Sequence, residues 1–128
     1  MAVTTEDVLS KAKADQVARL SIRDVVAELV DALGARLVAY IGGVSHTKFV
    51  RSWRDGSAAP RDRREVALRG ALQATRIIVG TDGRVVAQAW FTGANTHLAL
   101  EAPAAVLRDA ARPDEVTLVV RAAMTFAS

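Results

Sequence analysis

The segment from Ser21 to Gly34 constrains the fold of this chain more than any other. Its apolar side chains recur every three or four residues, which is the spacing of one face of an α-helix. They are Ile22, Val25, Val26, Leu29, Val30 and Leu33. Because Ser21 can cap the start of such a helix and Gly34 can end it, the segment predicts an amphipathic helix with defined bounds.

Glycines and prolines divide the rest of the chain into further short helices. The pattern predicts helices over 35–41, 46–55, 61–79, 85–91, 103–109 and 113 to about 126, a turn over 80–83 and an irregular connection over 93–102. The apolar residues of 35–41 would also suit a strand, but the alternation of a strand is missing. We therefore expect an all-α fold.

Composition excludes several classes of protein. The chain has 128 residues, of which 51% are apolar and 24% charged, as expected of one globular domain or two very small ones. It has no cysteine, so disulfides, thiolate zinc sites and cysteine nucleophiles are excluded. No run approaches the roughly 18 apolar residues of a membrane helix. We expect a soluble cytoplasmic protein that does not contact a membrane.

Residues with catalytic or metal-binding chemistry do not cluster in the sequence. The two histidines, His46 and His97, form no HxxxH or HExxH spacing, and the carboxylates are scattered. The "GTDG" segment lacks the length and the lysine of a phosphate-binding loop. We expect no enzyme activity, no metal and no cofactor.

Positive charge is concentrated between His46 and Arg76. This stretch has eight basic and three acidic residues, a net charge of +5, whereas the whole chain carries only +3. A local positive patch of this kind is typical of proteins that bind phosphates.

The helix over 35–41, a glycine-containing turn and a second helix capped by Ser45 form a predicted helix-turn-helix, and the second helix begins the charged stretch. A helical projection of the second helix places Phe49, Val50 and Trp53 on an inner face. Thr47, Lys48, Arg51 and Asp55 lie opposite, with Arg54 at one edge. The predicted DNA-binding residues are Thr47, Lys48, Arg51, Arg54, Arg61 and Arg64. A solvated charged face without a ligand is the alternative interpretation.

The segment that ends this helix, "WRDGSAAP", resembles the corresponding part of Xre-type regulators. In these regulators a Trp is followed by Gly at +3 and Pro at +7, and here the residues are Trp53, Gly56 and Pro60. Each of the three also has a structural explanation: packing, a helix C-cap and a helix start.

A second motif lies in "WFTGANTHLALEAPAAVLRD". Its members are Trp90, Asn95, Leu98, Pro103 and Leu107. Their spacing resembles the C-terminal toxin-binding domain of the Xre/MbcA/ParS antitoxin family, and the resemblance extends from Ser21 to the last residue. Many members have glycines directly after the motif leucine. Here Ala99 and Leu100 occupy those positions, so we expect a more helical turn. The motif residues could equally serve only to stabilise a small helical module.

The resemblance implies a partner and a mechanism. Antitoxins of this family bind a RES-domain toxin, an NAD-degrading enzyme, and cover its active-site entrance with their last helix and C-terminal residues. The corresponding residues here are Val120, Arg121, Met124, Thr125, Phe126 and Ser128. Val116, Val119, Val120 and Ala123 form an apolar stripe that could instead pack on the protein's own core.

The resemblance also implies an organisation of the chain. It makes residues 21–79 a DNA-binding domain with a long linking helix and 80–128 the toxin-binding domain. Residues 1–20 lie outside the resemblance; they are polar with scattered Ala and Val, which predicts a flexible or partly helical segment. The expected function is that of a type II antitoxin that blocks its toxin and represses its own operon as a homodimer or as a toxin-antitoxin hetero-oligomer. The alternatives are a stand-alone Xre-like regulator or DNA-partition accessory, and a helical interaction module that binds no DNA.

Overall fold

The protein is all-α, as the sequence predicts. A computed structural model describes residues 4–128, except for the side chains of Glu6, Asp7, Leu9 and Ser10. The helices are α1 Thr5–Arg19, α2 Ile22–Leu33, α3 Ala35–Ile41, α4 Thr47–Asp55, α5 Asp62–Asp82, α6 Arg84–Thr92, α7 Pro103–Asp109 and α8 Pro113–Ala127. A short 3₁₀ helix spans Thr96–Leu98, and the described part of the chain contains no strand.

Hydrogen bonds from side chains set the ends of the first helices. Ser21 caps α2, because its hydroxyl accepts a hydrogen bond of 3.1 Å from the backbone N–H of Asp24, and Gly34 ends the helix. Most of the predicted N-terminal segment is α1; residues 1–3 of that segment lie outside the described residues. Arg69 on α5 donates hydrogen bonds to the carbonyls of Val17 and Leu20, which satisfies acceptors at the end of α1.

The predicted turn over 80–83 is wrong in its extent. Helix α5 continues through Asp82, and only Gly83, with a φ of 88°, ends it. Gly80 lies in an ordinary helical turn, and the Thr81 hydroxyl bonds back to the carbonyl of Ile78 at 3.2 Å. Glycine, threonine and aspartate have weak helix propensity, but here they extend a long helix that tertiary packing already stabilises.

Helix α5 is the central element of the fold. Its buried residues are Ala67, Leu68, Gly70, Ala71, Leu72, Ala74, Thr75 and Ile78. They contribute to a continuous core that extends along the chain from Val17 on α1 to Ala123 on α8. The predicted boundary at residues 79 and 80 therefore coincides with no break in the core, and the division into domains stays a prediction.

A bidentate ion pair joins α2 to α5. Arg76 donates hydrogen bonds of 2.7 and 2.6 Å to the two carboxylate oxygens of Glu28. These bonds lower the pKa of Glu28 from its usual value, against the opposing effect of partial burial. Arg76 is thus engaged within the fold.

Within the described residues, no helix is both long enough and apolar enough to cross a membrane.

Candidate nucleic-acid interface

Helix α4 is fixed to the core through the turn that precedes it. Val50 and Trp53 are buried, and the indole of Trp53 packs directly over Gly42. A Cβ at Gly42 would lie 2.8 Å from Cζ3 of Trp53, so only glycine permits this approach. Gly43 has a φ of 75° and reverses the chain between α3 and α4. Trp53 therefore positions α4 against the turn.

The predicted N-cap of α4 is wrong. His46, not Ser45, is the extended residue before the first helical residue, and its Nδ1 accepts a hydrogen bond of 3.1 Å from the backbone N–H of Lys48. An imidazole nitrogen thus replaces the hydroxyl oxygen that usually satisfies this donor.

Phe49 does not belong to the inner face of α4, which corrects the helical projection. Its side chain is 41% exposed, whereas Val50 and Trp53 are 1% and 5% exposed. The three residues span about 100° of the helix surface, and the contact with the core is narrower than that arc. The Phe49 ring instead lies 5.3 Å from the Lys48 ammonium, within the range of a cation–π contact.

The outward side of α4 presents the cations that the sequence predicts. Lys48, Arg51 and Arg54 are exposed, Thr47 is half-buried, and Arg61 is exposed just before α5. The structure thus brings four of the predicted DNA-binding residues onto one helix.

The end of α4 is also as predicted. Gly56 ends the helix in the left-handed conformation with a φ of 86°. Asp55 accepts a hydrogen bond of 2.9 Å from the backbone of Ser57, and hydrogen bonding from Ser57 lowers the pKa of its carboxyl group. Asp55 therefore fixes the loop that leaves the helix.

Arg64 is bound within the fold and does not extend into solvent as the cations of α4 do. Its guanidinium donates hydrogen bonds to the carbonyls of Arg108 and Ala110 at the end of α7, the latter at 3.2 Å. Burial, followed by the nearby charges of Arg63 and Arg108, lowers the pKa of Arg64. The side chain has a structural role, and its contact with DNA stays a prediction.

A residue that the sequence reasoning missed, Arg108, lies close to α3. Its guanidinium lies 4.7 Å from the centroid of the Tyr40 ring and donates a hydrogen bond of 2.7 Å to the Tyr40 carbonyl. Because 68 positions separate the two residues, no local pattern indicates this contact.

The C-terminal motif residues have the structural roles that their chemistry predicts. Trp90 and Phe91 are buried with their rings edge to face, 5.1 Å apart. The Asn95 side chain accepts a hydrogen bond of 2.9 Å from the backbone N–H of His97. Leu98 and Leu107 are buried, and Pro103 is the first residue of α7. These residues stabilise the connection between α6 and α7.

The turn after Leu98 differs from the predicted shape. Ala99 and Leu100 have φ values of 54° and 69°, so the turn is left-handed rather than more helical. The Leu100 N–H donates to the Asn95 carbonyl at 2.8 Å, and the Asn95 N–H donates to the Glu101 carbonyl at 3.1 Å. These bonds close a tight loop whose geometry suits the glycines that the resemblance implies.

The predicted toxin-binding residues at the end of α8 differ in exposure. Val120 and Met124 are half-buried, and the other four residues are exposed: Arg121, Thr125, Phe126 and Ser128. The Phe126 ring is 47% exposed and lies 6.5 Å from the Trp90 ring. Of the apolar stripe, Val116, Val119 and Ala123 pack into the protein's own core.

Comparisons with known proteins do not identify the chain: no family model matches it, and no characterised protein or solved structure is significantly similar to it. Within the described residues, no group of three or more histidines and carboxylates could hold a metal ion. The functional interpretation therefore depends on the residues and the geometry above.

Proposed function

We propose that the protein is a DNA-binding antitoxin of a type II system. In this proposal α3 and α4 form a helix-turn-helix that binds the operator, and the end of α8 occludes a RES-domain toxin. The observation that carries the DNA-binding part is the two-sided construction of α4. Val50 and Trp53 fix the helix to the core while Lys48, Arg51 and Arg54 extend into solvent.

This construction suits the major groove of DNA, which admits an α-helix. A helix held by two buried residues keeps its orientation, so the outward side chains can meet bases and phosphates in a fixed register. Arg51 near the middle of α4 can form the bidentate contact that arginine makes with guanine. Lys48, Arg54 and Arg61 can neutralise phosphates on either side. A homodimer would place two such helices in successive major grooves.

The toxin-binding part is supported by the exposed end of α8 together with the sequence resemblance. Phe126 leaves nearly half of its surface in solvent near the end of α8. Aromatic and methionine side chains are enriched at protein interfaces, so this exposure supports contact with a partner. In the proposed complex, Phe126, Met124 and the terminal residues contact the toxin.

The DNA-binding part is tested with the duplex upstream of the protein's own gene. We expect the Lys48→Ala/Arg51→Ala variant to bind this duplex at least tenfold more weakly than wild type, because it loses one phosphate contact and one base contact. The matched control is Lys11→Ala/Lys13→Ala, which removes two exposed charges from α1. Fluorescence anisotropy measures both affinities. Equal affinity of the α4 variant and wild type would exclude α4 as the DNA-binding element.

The toxin-binding part is tested by co-expression with the product of the adjacent reading frame. We expect growth to be rescued and a stable complex to be isolated. Deleting residues 124–128 should abolish rescue but leave DNA binding intact, because the deepest side chains of α8 lie before this segment. If the neighbouring product is not toxic and forms no complex, the protein is a stand-alone regulator. If the deletion abolishes both activities, the terminus belongs to the core.

A further inference from the structure

A groove with a mixed polar and apolar lining lies between α3, the turn over 42–46 and α7. Its volume is about 660 Å³, and two arginines line it, Arg36 from α3 and Arg108 from α7. Ser45, His46 and Thr47 form the side next to the start of α4. No aspartate or glutamate is among the described residues that line the groove. The groove is therefore positively charged and rich in hydrogen-bond donors, a combination that suits a phosphate group.

The two arginines contribute in different ways. Arg36 is exposed, and within the described part of the chain its guanidinium makes no hydrogen bond or ion pair. Arg108 is anchored by two contacts with Tyr40. One of its Nη atoms donates a hydrogen bond to the Tyr40 carbonyl, and its guanidinium carbon lies 4.7 Å from the centroid of the Tyr40 ring. Its remaining N–H groups are held in a fixed position, so little side-chain entropy is lost when they bind an anion.

His46 adds a donor of defined chemistry. Its Nδ1 accepts the hydrogen bond from Lys48, so the neutral ring carries its proton on Nε2. The hydroxyl groups of Ser45 and Thr47 are adjacent in the same lining. All of these donors lie beside the cations of α4, which places the groove next to the proposed DNA-binding helix.

We infer that this groove binds a backbone phosphate of the DNA duplex, with Arg36 and Arg108 as its charged ligands. The inference rests on the proposed DNA-binding function and extends it. The C-terminal half of the chain, through Arg108 on α7, becomes part of the DNA-binding surface. Arg36 and Arg108 would fix the register of α4 on the duplex, because phosphate contacts set the position of a protein on DNA.

The first experiment uses the segment of upstream duplex that the wild-type protein protects from nuclease. Arg36→Ala and Arg108→Ala should each lower affinity about tenfold and make the slope of log K against log salt shallower by about 1. Arg121→Ala is the matched control, because it removes an exposed arginine that lines a different cleft. Arg36→Ala removes an exposed side chain and breaks no hydrogen bond or ion pair with the described residues, so we expect its fold to be retained.

The second experiment replaces the phosphates of the protected segment one at a time with neutral methylphosphonates. At one position we expect about a tenfold loss for wild type and no further loss for Arg36→Ala/Arg108→Ala. If every position weakens wild type and this variant equally, the groove binds no phosphate.

The outcomes separate the two proposals. If the wild-type protein protects no segment, the proposed DNA-binding function and the groove both fail. If Lys48→Ala/Arg51→Ala loses binding while Arg36→Ala and Arg108→Ala keep wild-type affinity and salt slope, only the groove fails.

Discussion

Leu100 occupies the left-handed region of the backbone, with a φ of 69°, and its side chain is 67% exposed. Ala99 before it is also left-handed. For L-residues this conformation costs about 1–2 kcal/mol each. The hydrogen bonds around Asn95 impose it, because they determine the path of the loop whatever residues occupy the turn. The sequence motif predicted the residues that form the loop but not its handedness, which depends on pairing between Asn95 and Glu101.

Replacing Leu100 by glycine should therefore relieve the backbone strain of this turn. We expect Leu100→Gly to raise the free energy of unfolding by about 1 kcal/mol relative to Leu100→Ala. The two variants lose nearly the same side chain, but only the glycine removes the Cβ that disfavours a positive φ. Chemical denaturation of both variants measures the difference. Equal stability would show that the turn stores no backbone strain.

The helices were predicted well where end signals are clear, as at Ser21 and Gly34 for α2 and at Pro103 for α7. Prediction failed at 80–83, because the glycines and polar residues there indicate a turn while the packing of α5 extends the helix. The close approach of two helices at Gly70 was also not predictable from local sequence. At Gly70, α5 meets α8 so closely that a Cβ would overlap Cγ1 of Val116. The close packing of α8 on α5 at this point thus requires glycine.

Gly70→Ala should separate α5 from α8. We expect a loss of about 2 kcal/mol in the free energy of unfolding, because the steric cost of the added methyl group exceeds the gain in helix propensity from alanine. Gly80→Ala on the same helix is the matched control. A Cβ there meets no atom within 4 Å, so this variant should gain up to about 1 kcal/mol.

A second substitution tests the cause of this loss. Val116→Ala in the Gly70→Ala background should recover part of the stability in a double-mutant cycle. Additive losses for the two substitutions would contradict close packing at this site.

At the scale of the whole molecule, the sequence predicted the all-α class from its periodicity, but it could not predict which basic side chains are exposed on the surface. Three of the eight basic residues between His46 and Arg76 are engaged within the fold: Arg64, Arg69 and Arg76. Their partners are distant in sequence, so composition alone could not separate them from the exposed cations. Among the cations of this stretch, the exposed ones are thereby restricted to α4, Arg61 and Arg63. In the same way, the contact of Arg108 with Tyr40 brings the C-terminal half next to α3.

The salt dependence of DNA binding tests the central claim most directly. If each protomer neutralises five or six phosphates, log K for the upstream duplex should fall against log salt with a slope of about −5 per protomer. The slope should become shallower by about 1 in the Lys48→Ala/Arg51→Ala variant, in which one phosphate contact and one base contact are lost. A wild-type affinity that does not change with salt, or a slope that is identical in the variant, would contradict a DNA-binding face on α4.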